Sequence, residues 1–239
     1  MKKYCIISGG LGYIGLHLCY SLLKNYKVIL IDNLSNSSLK NLKYFKNKKN
    51  LIFYKLDIKN TKKILQKIKE IKKIHLFVHL SADKYVSSNL TKHLGSISQT
   101  LSVLEICSIK KVDKLFYSSS ASVYGDSYEK NILSSYGKSK IACEDLIKNF
   151  YSKTYIIGRI YNPYGSRFPG IKFGEQLPVI EKIIDSLKNN KKFTVHTNKY
   201  TRDKSGYRDF IEINDLVTQI LYLMNTNKSI TCDLCTGKS

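Results

Sequence analysis

The chain is 239 residues long and 43% hydrophobic, enough for one large globular domain, and it has no apolar run of the roughly 18 residues that a membrane span needs, so we expect neither disorder nor membrane insertion. Its net charge of +22 comes from 40 basic and 18 acidic residues, and its lysines are scattered along the whole chain, with dense runs at 46–50 and 188–192. This spread favours compositional drift over a specific nucleic-acid partner, although it predicts non-specific binding to polyanions at low salt.

Apolar, β-branched runs alternate with segments of helical periodicity as far as about residue 160. The predicted strands are 4–8, 27–32, 51–56, 75–80, 114–119 and 154–159, and the predicted helices are 12–24, 60–72, 97–110 and 136–151. Strands that alternate with helices form a parallel sheet. The strands lack polar alternation, which indicates that both sheet faces are covered. We therefore predict an α/β fold, a Rossmann-type doubly wound parallel sheet.

The first predicted strand leads into the glycine-rich sequence GGLGYIG. Gly9, Gly12 and Gly15 are spaced so that the loop can turn tightly, approach a pyrophosphate and open a helix. A plain turn would also explain the motif taken alone. The next strand, however, ends at Asp32, about 20 residues after Gly12, where a carboxylate accepts from the ribose 2′-OH of NAD and repels the 2′-phosphate of NADP. We therefore predict NAD as the cofactor, the alternative for Asp32 being a turn residue before LSNSS.

Tyr136 and Lys140 lie four residues apart at the start of the predicted helix 136–151. Such a pair is common on solvated helices. Here, however, the helix follows the fifth strand, whose carboxyl end carries the serine run 118–120 at the ligand-binding edge of the sheet. A nearby ammonium favours phenolate and lowers the pKa of tyrosine from near 10. We therefore predict a proton-transfer and hydride-transfer site in which Ser120 holds the substrate hydroxyl and Lys140 also binds the nicotinamide ribose.

The six cysteines are spread along the chain, and Cys232 and Cys235 form the only close pair. A zinc site normally needs a second pair or histidines at ligand spacing. The segment TCDLC also resembles a strand, in which residues three apart point to opposite faces. We therefore predict no metal site, reduced structural cysteines and a cytoplasmic location.

Taken in order, these motifs resemble those of the extended short-chain dehydrogenases/reductases, most closely the UDP-glucose 4-epimerases. The matching segments are GGLGYIG, DNLSN, LDIKN, VHLSADK, SSSASVYGD, SYGKSK, RIYNPYG and GYRDFIEINDL. The resemblance implies an NAD-dependent UDP-glucose/UDP-galactose 4-epimerase, an isomerase that oxidises the sugar at C4 to a 4-keto intermediate and re-reduces it on the other face. It also implies a homodimer formed through the helices 97–110 and 136–151, with apolar positions that include Leu101, Leu104, Ile141 and Leu146.

The resemblance also implies a role for individual residues. The implied catalytic residues are Ser120, Tyr136 and Lys140. The implied cofactor-binding residues are Gly9, Gly12, Tyr13, Ile14, Gly15, Asp32, Asn33, Asp57, Ile58, Lys84, Tyr136 and Lys140. Within this set, Tyr13 and Ile14 lie along the pyrophosphate, Asp32 and Asn33 at the adenosine ribose, Asp57 and Ile58 at the adenine, and Lys84 near the phosphates. The implied UDP-sugar ligands are Ser120, Asn162, His196 and Arg208.

Two further features of the sequence refine this hypothesis, one after the catalytic serines and one at the end of the chain. The related 4,6-dehydratases carry an acidic residue within the segment after the serines, where this chain has SSSASVYG and no acid. The family continues beyond TCDLCTGKS, so we expect a C-terminally truncated copy. It would have an NAD-binding Rossmann domain over 1–160 and a small, incomplete substrate-binding region over 161–239 that partly returns to the sheet. The alternative is a non-catalytic NAD-binding remnant with incidental polyanion binding.

Overall fold

The computed structural model describes residues 3–45, 49–82, 90–125, 134–168, 170–171, 179–193 and 208–238. Its centre is a seven-stranded sheet. The strands are β1 (Lys3–Ser8), β2 (Tyr26–Asp32), β3 (Leu51–Lys55), β4 (Leu76–His79), β5 (Lys114–Ser120), β6 (Thr154–Ile160) and β9 (Ile230–Leu234), in the order β3-β2-β1-β4-β5-β6-β9. A separate two-stranded sheet pairs β7 (Asn162–Tyr164) with β8 (Phe210–Glu212).

All neighbouring strands in the large sheet are parallel, so their carboxyl ends lie at one edge. Helices cover both faces. One face carries α1 (Tyr13–Leu22) and α6 (Ile213–Leu223), and the other carries α2 (Thr61–Lys67), α3 (Leu90–Ile109) and α4 (Ser135–Phe150). The remaining elements are α5 (Val179–Lys188) and the 3-10 helices Leu39–Phe45 and Ala121–Tyr124. The predicted doubly wound α/β sheet is confirmed.

The apolar runs of the strands fill two separate cores. Successive residues of a strand point to opposite faces. In β1 and β2, Cys5, Ile7 and Leu30 pack toward α1 and α6, whereas Ile6 and Ile29 pack toward the α2, α3 and α4 layer. All five side chains are fully buried. Both faces of the sheet therefore need hydrophobic residues, which explains why the strands show no polar alternation.

Helix α2 ends at Lys67, before the predicted limit at residue 72. The ammonium of Lys110, at the end of α3, donates hydrogen bonds to the carbonyl oxygens of Ile68, Lys69 and Ile71 at 2.7, 3.2 and 3.1 Å. Because a cation satisfies carbonyl groups at the end of α2, the chain can leave the helix there without leaving these acceptors unpaired.

One margin of the sheet, which we call the basic edge, is rich in exposed lysines. It consists of the 3-10 helix Leu39–Phe45, strand β3, helix α2 and their connections. Its described lysines are all exposed: Lys40, Lys43, Lys49, Lys55, Lys59, Lys62, Lys63, Lys67, Lys69, Lys72 and Lys73. Between residues 40 and 73 the sequence contains two acids, Asp57 and Glu70. Most of this positive charge is therefore balanced by solvent ions rather than by neighbouring carboxylates.

None of the helices in the described ranges combines the length and hydrophobicity that a bilayer crossing requires. Within the same ranges, no group of three or more histidine, cysteine or acidic side chains is arranged to hold a metal ion. All six cysteines are free thiols, four of them buried in the core.

Candidate active site

The loop between β1 and α1 is packed too closely for side chains at two of its glycines. Gly9 has φ of +70°, and its amide donates to the Ile31 carbonyl oxygen at 2.9 Å. A Cβ on Gly15 would collide with the Gly9 carbonyl oxygen and lie 2.8 Å from the Gly10 Cα. The absence of a side chain at Gly15 thus lets α1 begin directly against the turn, at the carboxyl edge of the sheet.

Helix α1 has no side-chain cap at its N-terminus. Gly12 occupies the N-cap position with extended backbone, and the first turn, which contains Tyr13 and Ile14, has no acidic residue. The uncapped amides and the helix dipole favour an anion at this point. The glycine loop and the uncapped helix together fit the pyrophosphate of a dinucleotide. The Tyr13 hydroxyl does not face the pyrophosphate position, since it donates to the Gly165 carbonyl oxygen at 2.5 Å.

Asp32, at the end of β2, binds both the glycine loop and the following turn. One carboxylate oxygen accepts from the Leu11 amide at 3.0 Å. The other accepts from the Leu34 amide and the Ser37 hydroxyl, both at 2.8 Å. The turn interpretation of Asp32 is therefore present in the structure. The oxygen bound by Leu11 retains one acceptor site, so the same side chain could also accept from a ribose hydroxyl.

Asn33 and Asp57 meet at the ends of neighbouring strands. The Asn33 side-chain amide donates to Asp57 at 3.3 Å, and the second Asp57 oxygen accepts from the Lys59 amide at 2.9 Å. The side chain of Ile58 is 4% exposed and belongs to the core on the α2 face, so any contact with a ligand would come from its backbone. Lys84 lies outside the described residues.

Helix α4 carries the predicted catalytic pair on one stripe. The helix is capped by the Ser134 hydroxyl, which accepts from the Gly137 amide at 3.1 Å. Tyr136 in its first turn is half-buried, and the Lys140 ammonium lies 5.6 Å from the centre of the Tyr136 ring. The spacing of four residues puts both side chains on the same face, as the sequence predicts.

Lys140 is 2% exposed and contacts the end of β5. Its ammonium donates to the Ser118 carbonyl oxygen at 2.6 Å and lies 4.8 Å from the centre of the Tyr117 ring. Burial lowers the pKa of Lys140 to about 8, while the neighbouring Cys143 and Glu144 oppose this shift. At neutral pH the side chain is thus mostly a cation, placed where it would favour a phenolate at Tyr136.

Ser120, the last residue of β5, begins the 3-10 helix Ala121–Tyr124. Its hydroxyl accepts from the Ser122 amide and donates to the Ser122 hydroxyl, each at 3.2 Å. The residue is half-buried. The structure therefore places Ser120 at the sheet edge that carries the glycine loop.

A buried histidine, His79, links the glycine loop to α3. The Thr100 hydroxyl donates to the Ser96 carbonyl oxygen at 3.0 Å, so it accepts from His79 Nε2 at 3.2 Å. His79 Nδ1 then accepts from the Ser8 hydroxyl at 2.9 Å, and Ser81 donates to Ser8 at 3.2 Å. Burial, together with the Lys140 charge, lowers the pKa of His79 to about 3. The imidazole is therefore neutral at physiological pH.

The predicted substrate residues Asn162 and Arg208 are close together at the small sheet. The Asn162 side-chain amide donates to the Asp209 carbonyl oxygen at 2.9 Å, and Arg208, the preceding residue, is exposed. The Asp209 carboxylate accepts from the amides of residues 236–238 at 2.7 to 3.1 Å. Asp209 thus joins the residues after β9 to Arg208. His196 lies outside the described residues.

Sequence reasoning missed three polar residues beside the site: the buried His79 and Glu144, and the half-buried Arg159. The sequence could have identified Glu144, because it follows Lys140 by four residues, just as Lys140 follows Tyr136, and so lies on the same face of the helix. His79 is a polar residue in the otherwise apolar run LFVHL. Arg159 gave no signal, since its partner lies on a different element.

A family model, described as the NAD dependent epimerase/dehydratase family, matches residues 5–233. Among curated proteins, the chain is 29% identical to UDP-glucose 4-epimerase 2 of Oryza sativa over 98% of its own length and 65% of that protein. It is 32% identical to dTDP-D-glucose 4,6-dehydratase of Dictyostelium discoideum over 89% of its length and 54% of that protein. The chain thus spans less than two thirds of both relatives.

The fold is also that of solved epimerases. The chain superposes on UDP-glucose 4-epimerase of Bifidobacterium longum, a complex with NAD+ and UDP, with a TM-score of 0.83 and 24% identity, over 98% of this chain and 78% of that one. NAD, the cofactor predicted from the sequence, is the cofactor named in the description of the matching family. With a family match over nearly its entire length, the chain belongs to the NAD dependent epimerase/dehydratase family.

Proposed function

We propose that the chain is the NAD-binding and catalytic part of a UDP-glucose/UDP-galactose 4-epimerase. The observation that carries this proposal is the stripe of Tyr136 and Lys140 on α4, with the Lys140 ammonium bound to the end of β5 next to Ser120. The glycine loop opens at the same sheet edge. This is the arrangement that oxidation and re-reduction of a bound sugar hydroxyl requires.

The catalytic roles follow from the positions of the three side chains. Tyr136 Oη, as phenolate, would take the proton of the sugar 4-OH and return it after the 4-keto sugar has presented its other face. The Lys140 ammonium favours that phenolate, and the Ser120 hydroxyl would donate to or accept from the oxygen at C4. Bound NAD would supply the hydride acceptor and donor.

NAD would be held along the carboxyl ends of the first three strands. We assign the pyrophosphate to the glycine loop and the first turn of α1, the adenosine ribose to Asp32 and Asn33, and the adenine to Asp57 and the backbone of Ile58. The proposed set is Gly9, Gly12, Tyr13, Ile14, Gly15, Asp32, Asn33, Asp57, Ile58 and Lys84, with Tyr136 and Lys140 at the nicotinamide end.

The Asp32→Ala variant should bind NAD more weakly by about 1–3 kcal/mol, the usual cost of losing a charged hydrogen bond. Its NAD-to-NADP preference should also fall, because the charge that would repel a 2′-phosphate is gone. Calorimetric titration with both cofactors measures the two effects. Asp215→Ala, an exposed acid in the first turn of α6, changes the net charge equally and should behave as the parent. Equal affinity of the parent for NAD and NADP would contradict the assignment.

Gly15→Ala should destabilise the fold by about 1–3 kcal/mol, because its Cβ meets the backbone of the same loop and α1 must shift. Gly12→Ala is the matched control. A Cβ there meets only the Gly9 carbonyl oxygen, at 3.2 Å. It should therefore change the melting temperature little, yet still weaken NAD binding by occupying the proposed pyrophosphate site. If both variants melted at the same temperature, the close packing at Gly15 would not matter for stability.

The proposed substrate is a UDP-hexose. Asn162, Arg208 and His196 are its proposed ligands beside Ser120, because the planar guanidinium of Arg208 matches a diphosphate. A dehydratase relative raises the question of 4,6-elimination. Between Ser120 and Val123 the chain has Ala121 and Ser122, neither of which can act as the acid that expels water. Epimerisation needs no such acid.

The experiment is incubation of the protein with UDP-glucose and NAD, followed by separation of the nucleotide sugars. We expect UDP-galactose, and no 4-keto-6-deoxy product. The 4-keto-6-deoxy product would instead identify a dehydratase. A protein that binds NAD and leaves UDP-glucose unchanged would favour the alternative, a non-catalytic NAD-binding remnant.

We also propose the division predicted from the sequence, an NAD-binding part over 1–160 and a substrate-binding part over 161–239. The parallel pairing of β9 with β6 supports the return of the second part to the sheet. Six free thiols support a reducing, cytoplasmic environment.

A homodimer through α3 and α4 is the proposed assembly. On α3, Leu94, Ile97, Leu101 and Leu104 follow one another at spacings of three, four and three residues, the pattern of a helix-packing seam. Leu94 and Leu101 are 47% and 49% exposed, whereas Ile97 and Leu104 are partly buried against the chain's own core, so the seam is only partly covered in a single chain. The half-buried Ile141 and Leu146 of α4 lie on the helix packed beside it.

Leu101→Lys should convert the dimer to a monomer, because two ammonium groups would face each other across the seam. Light scattering at micromolar concentration and physiological salt measures this, since low salt would exaggerate effects of the net charge. Tyr222→Lys, on α6 at the opposite face and 78% exposed, should leave the mass unchanged. A monomeric parent would contradict the proposed assembly.

A further inference from the structure

Two successive turns of α4 bind two successive residues of β5. Lys140 donates to the Ser118 carbonyl oxygen at 2.6 Å, and Glu144, one turn later, accepts from the Ser119 hydroxyl at 2.5 Å. The next residue of the strand is Ser120. Because Tyr136, Lys140 and Glu144 lie on one stripe, the contact between Glu144 and Ser119 fixes the register of the strand end against the catalytic helix.

Glu144 is 1% exposed and is itself fixed by Arg159 of β6. Arg159 Nε and Nη2 donate to the two carboxylate oxygens at 3.0 and 2.8 Å, a bidentate pair. Arg159 Nη1 donates to the Tyr124 hydroxyl, and this hydroxyl donates to Asp233 of β9, both at 2.8 Å. The cluster therefore connects α4, β6, β9 and both ends of the short segment that begins at Ser120.

The pair joins a buried carboxylate to a half-buried guanidinium. Such a pair is weak evidence for a contribution to stability, since taking charges out of water costs about as much as their attraction gains. Its location suggests a different role. The 3-10 helix Ala121–Tyr124 is held at Ser119 by Glu144 and at Tyr124 by Arg159, so Ser120 lies between two anchored points.

We propose that Glu144 is a positioning residue for the site under Proposed function, on which this inference rests: anchored by Arg159, it holds Ser119 so that Ser120 stays in register with Tyr136 and Lys140. Glu144 is 1% exposed, so its carboxylate is not open to a ligand. It acts through the strand end and through its charge, one helical turn from the Lys140 ammonium.

The charge gives a signature that a purely structural role would lack. Burial lowers the pKa of Lys140, and Glu144 and Cys143 raise it. Removing the Glu144 charge should therefore lower the pKa of Lys140 further, so that the ammonium is lost at a lower pH. The titratable groups that face Lys140 are Tyr136, Cys143 and Glu144 on α4, Tyr117 on β5 and His79 on β4.

The test compares Glu144→Gln with Asp145→Asn, which removes the same charge from the exposed neighbouring position. Glu144→Gln should lower kcat for UDP-glucose epimerisation by about tenfold or more, the scale expected for a small misplacement of a catalytic group. The KM should change little, and the alkaline limb of the pH profile should move to lower pH. Asp145→Asn should change none of these quantities. A Glu144→Gln enzyme with parental kcat and pH profile would overturn the inference.

A third variant, Ser119→Ala, separates register from charge. It removes the hydrogen bond to Glu144 and leaves every charge in place, so kcat should fall without movement of the alkaline limb. If Glu144→Gln does not fold, Ser119→Ala alone tests whether the contact between Glu144 and Ser119 positions Ser120. A lower kcat at parental NAD affinity supports the positioning role, and parental kcat overturns it.

A readout without turnover keeps this test independent of the proposed function. The ¹³Cε resonance of Lys140, assigned by its loss in Lys140→Arg, reports the titration of the amine directly. If the parent proves not to be an epimerase, a titration shifted to lower pH in Glu144→Gln but not in Asp145→Asn still supports the inference. Equal titrations in the parent and both variants overturn the charge part of the inference, whereas Ser119→Ala decides its register part.

Discussion

Replacing Tyr136 with phenylalanine should lower epimerase turnover by about 10²–10⁴-fold, the usual contribution of a positioned acid–base group, while NAD binding is retained. The phenyl ring fills the same half-buried position in the first turn of α4 and lacks only the hydroxyl that would exchange a proton with the sugar. The measurement is the initial rate of UDP-glucose to UDP-galactose conversion, made on this chain and on any longer reading frame that contains it.

The control for this change is Tyr54→Phe. Its hydroxyl donates to the Lys67 carbonyl oxygen at 3.4 Å at the basic edge, away from the catalytic helix. This variant should turn over at the parental rate. A Tyr136→Phe enzyme as active as the parent would remove Tyr136 from the mechanism and, with it, the proposed function.

A loss of stability in mild acid is the second large effect expected. His79 has a folded-state pKa of about 3, against an ordinary value of 6.5. Below about pH 6.5 the unfolded chain gains a proton at His79 that the folded protein cannot accept. The contribution of His79 is thus fully present above that pH and is lost as the pH falls. The free energy of unfolding should drop by about 2 kcal/mol between pH 7 and 5 from this residue alone.

Urea titrations at several pH values between 7 and 5 measure this slope, in a range that lies above the ordinary pKa values of carboxyl groups. His79→Gln should be less stable than the parent at pH 7, because Ser8 and Thr100 lose a partner, but its stability should depend less on pH. His75→Gln, a change at a half-buried position just before β4, should alter the slope less. If the free energy of unfolding of His79→Gln fell with pH as steeply as that of the parent, the imidazole of His79 would take up its proton in the folded protein as readily as in the unfolded chain.

The sequence predicted the features that depend on local pattern. The six predicted strands all occur, because unbroken β-branched runs bounded by polar residues leave few alternatives. The glycine loop and the Tyr136–Lys140 stripe followed from spacing. For α3 the sequence predicts a start at residue 97, seven positions late, because LTKHLGSISQT contains glycine, serine and threonine of low helix propensity.

What could not be predicted depends on contacts between distant residues. The early end of α2 at Lys67 comes from Lys110, about 40 positions later in the chain. The two uses of Asp32, in a turn and at a ribose, looked like competing interpretations in the sequence, yet the structure leaves room for both on one carboxylate. The Glu144–Arg159 pair required knowledge that α4 crosses β6.

The basic edge has a consequence for how copies of the protein behave in solution. Strand β3 is the terminal strand of the large sheet, with no neighbour on its outer side among the described strands, and such strands can recruit a second copy by strand addition. It is only five residues long, and exposed lysines precede and end it at Lys49 and Lys55. Two molecules that approach edge to edge would bring like charges together, so aggregation through β3 is opposed at low ionic strength. Added salt, which reduces the range of this repulsion to about 10 Å at 0.1 M, removes part of that protection.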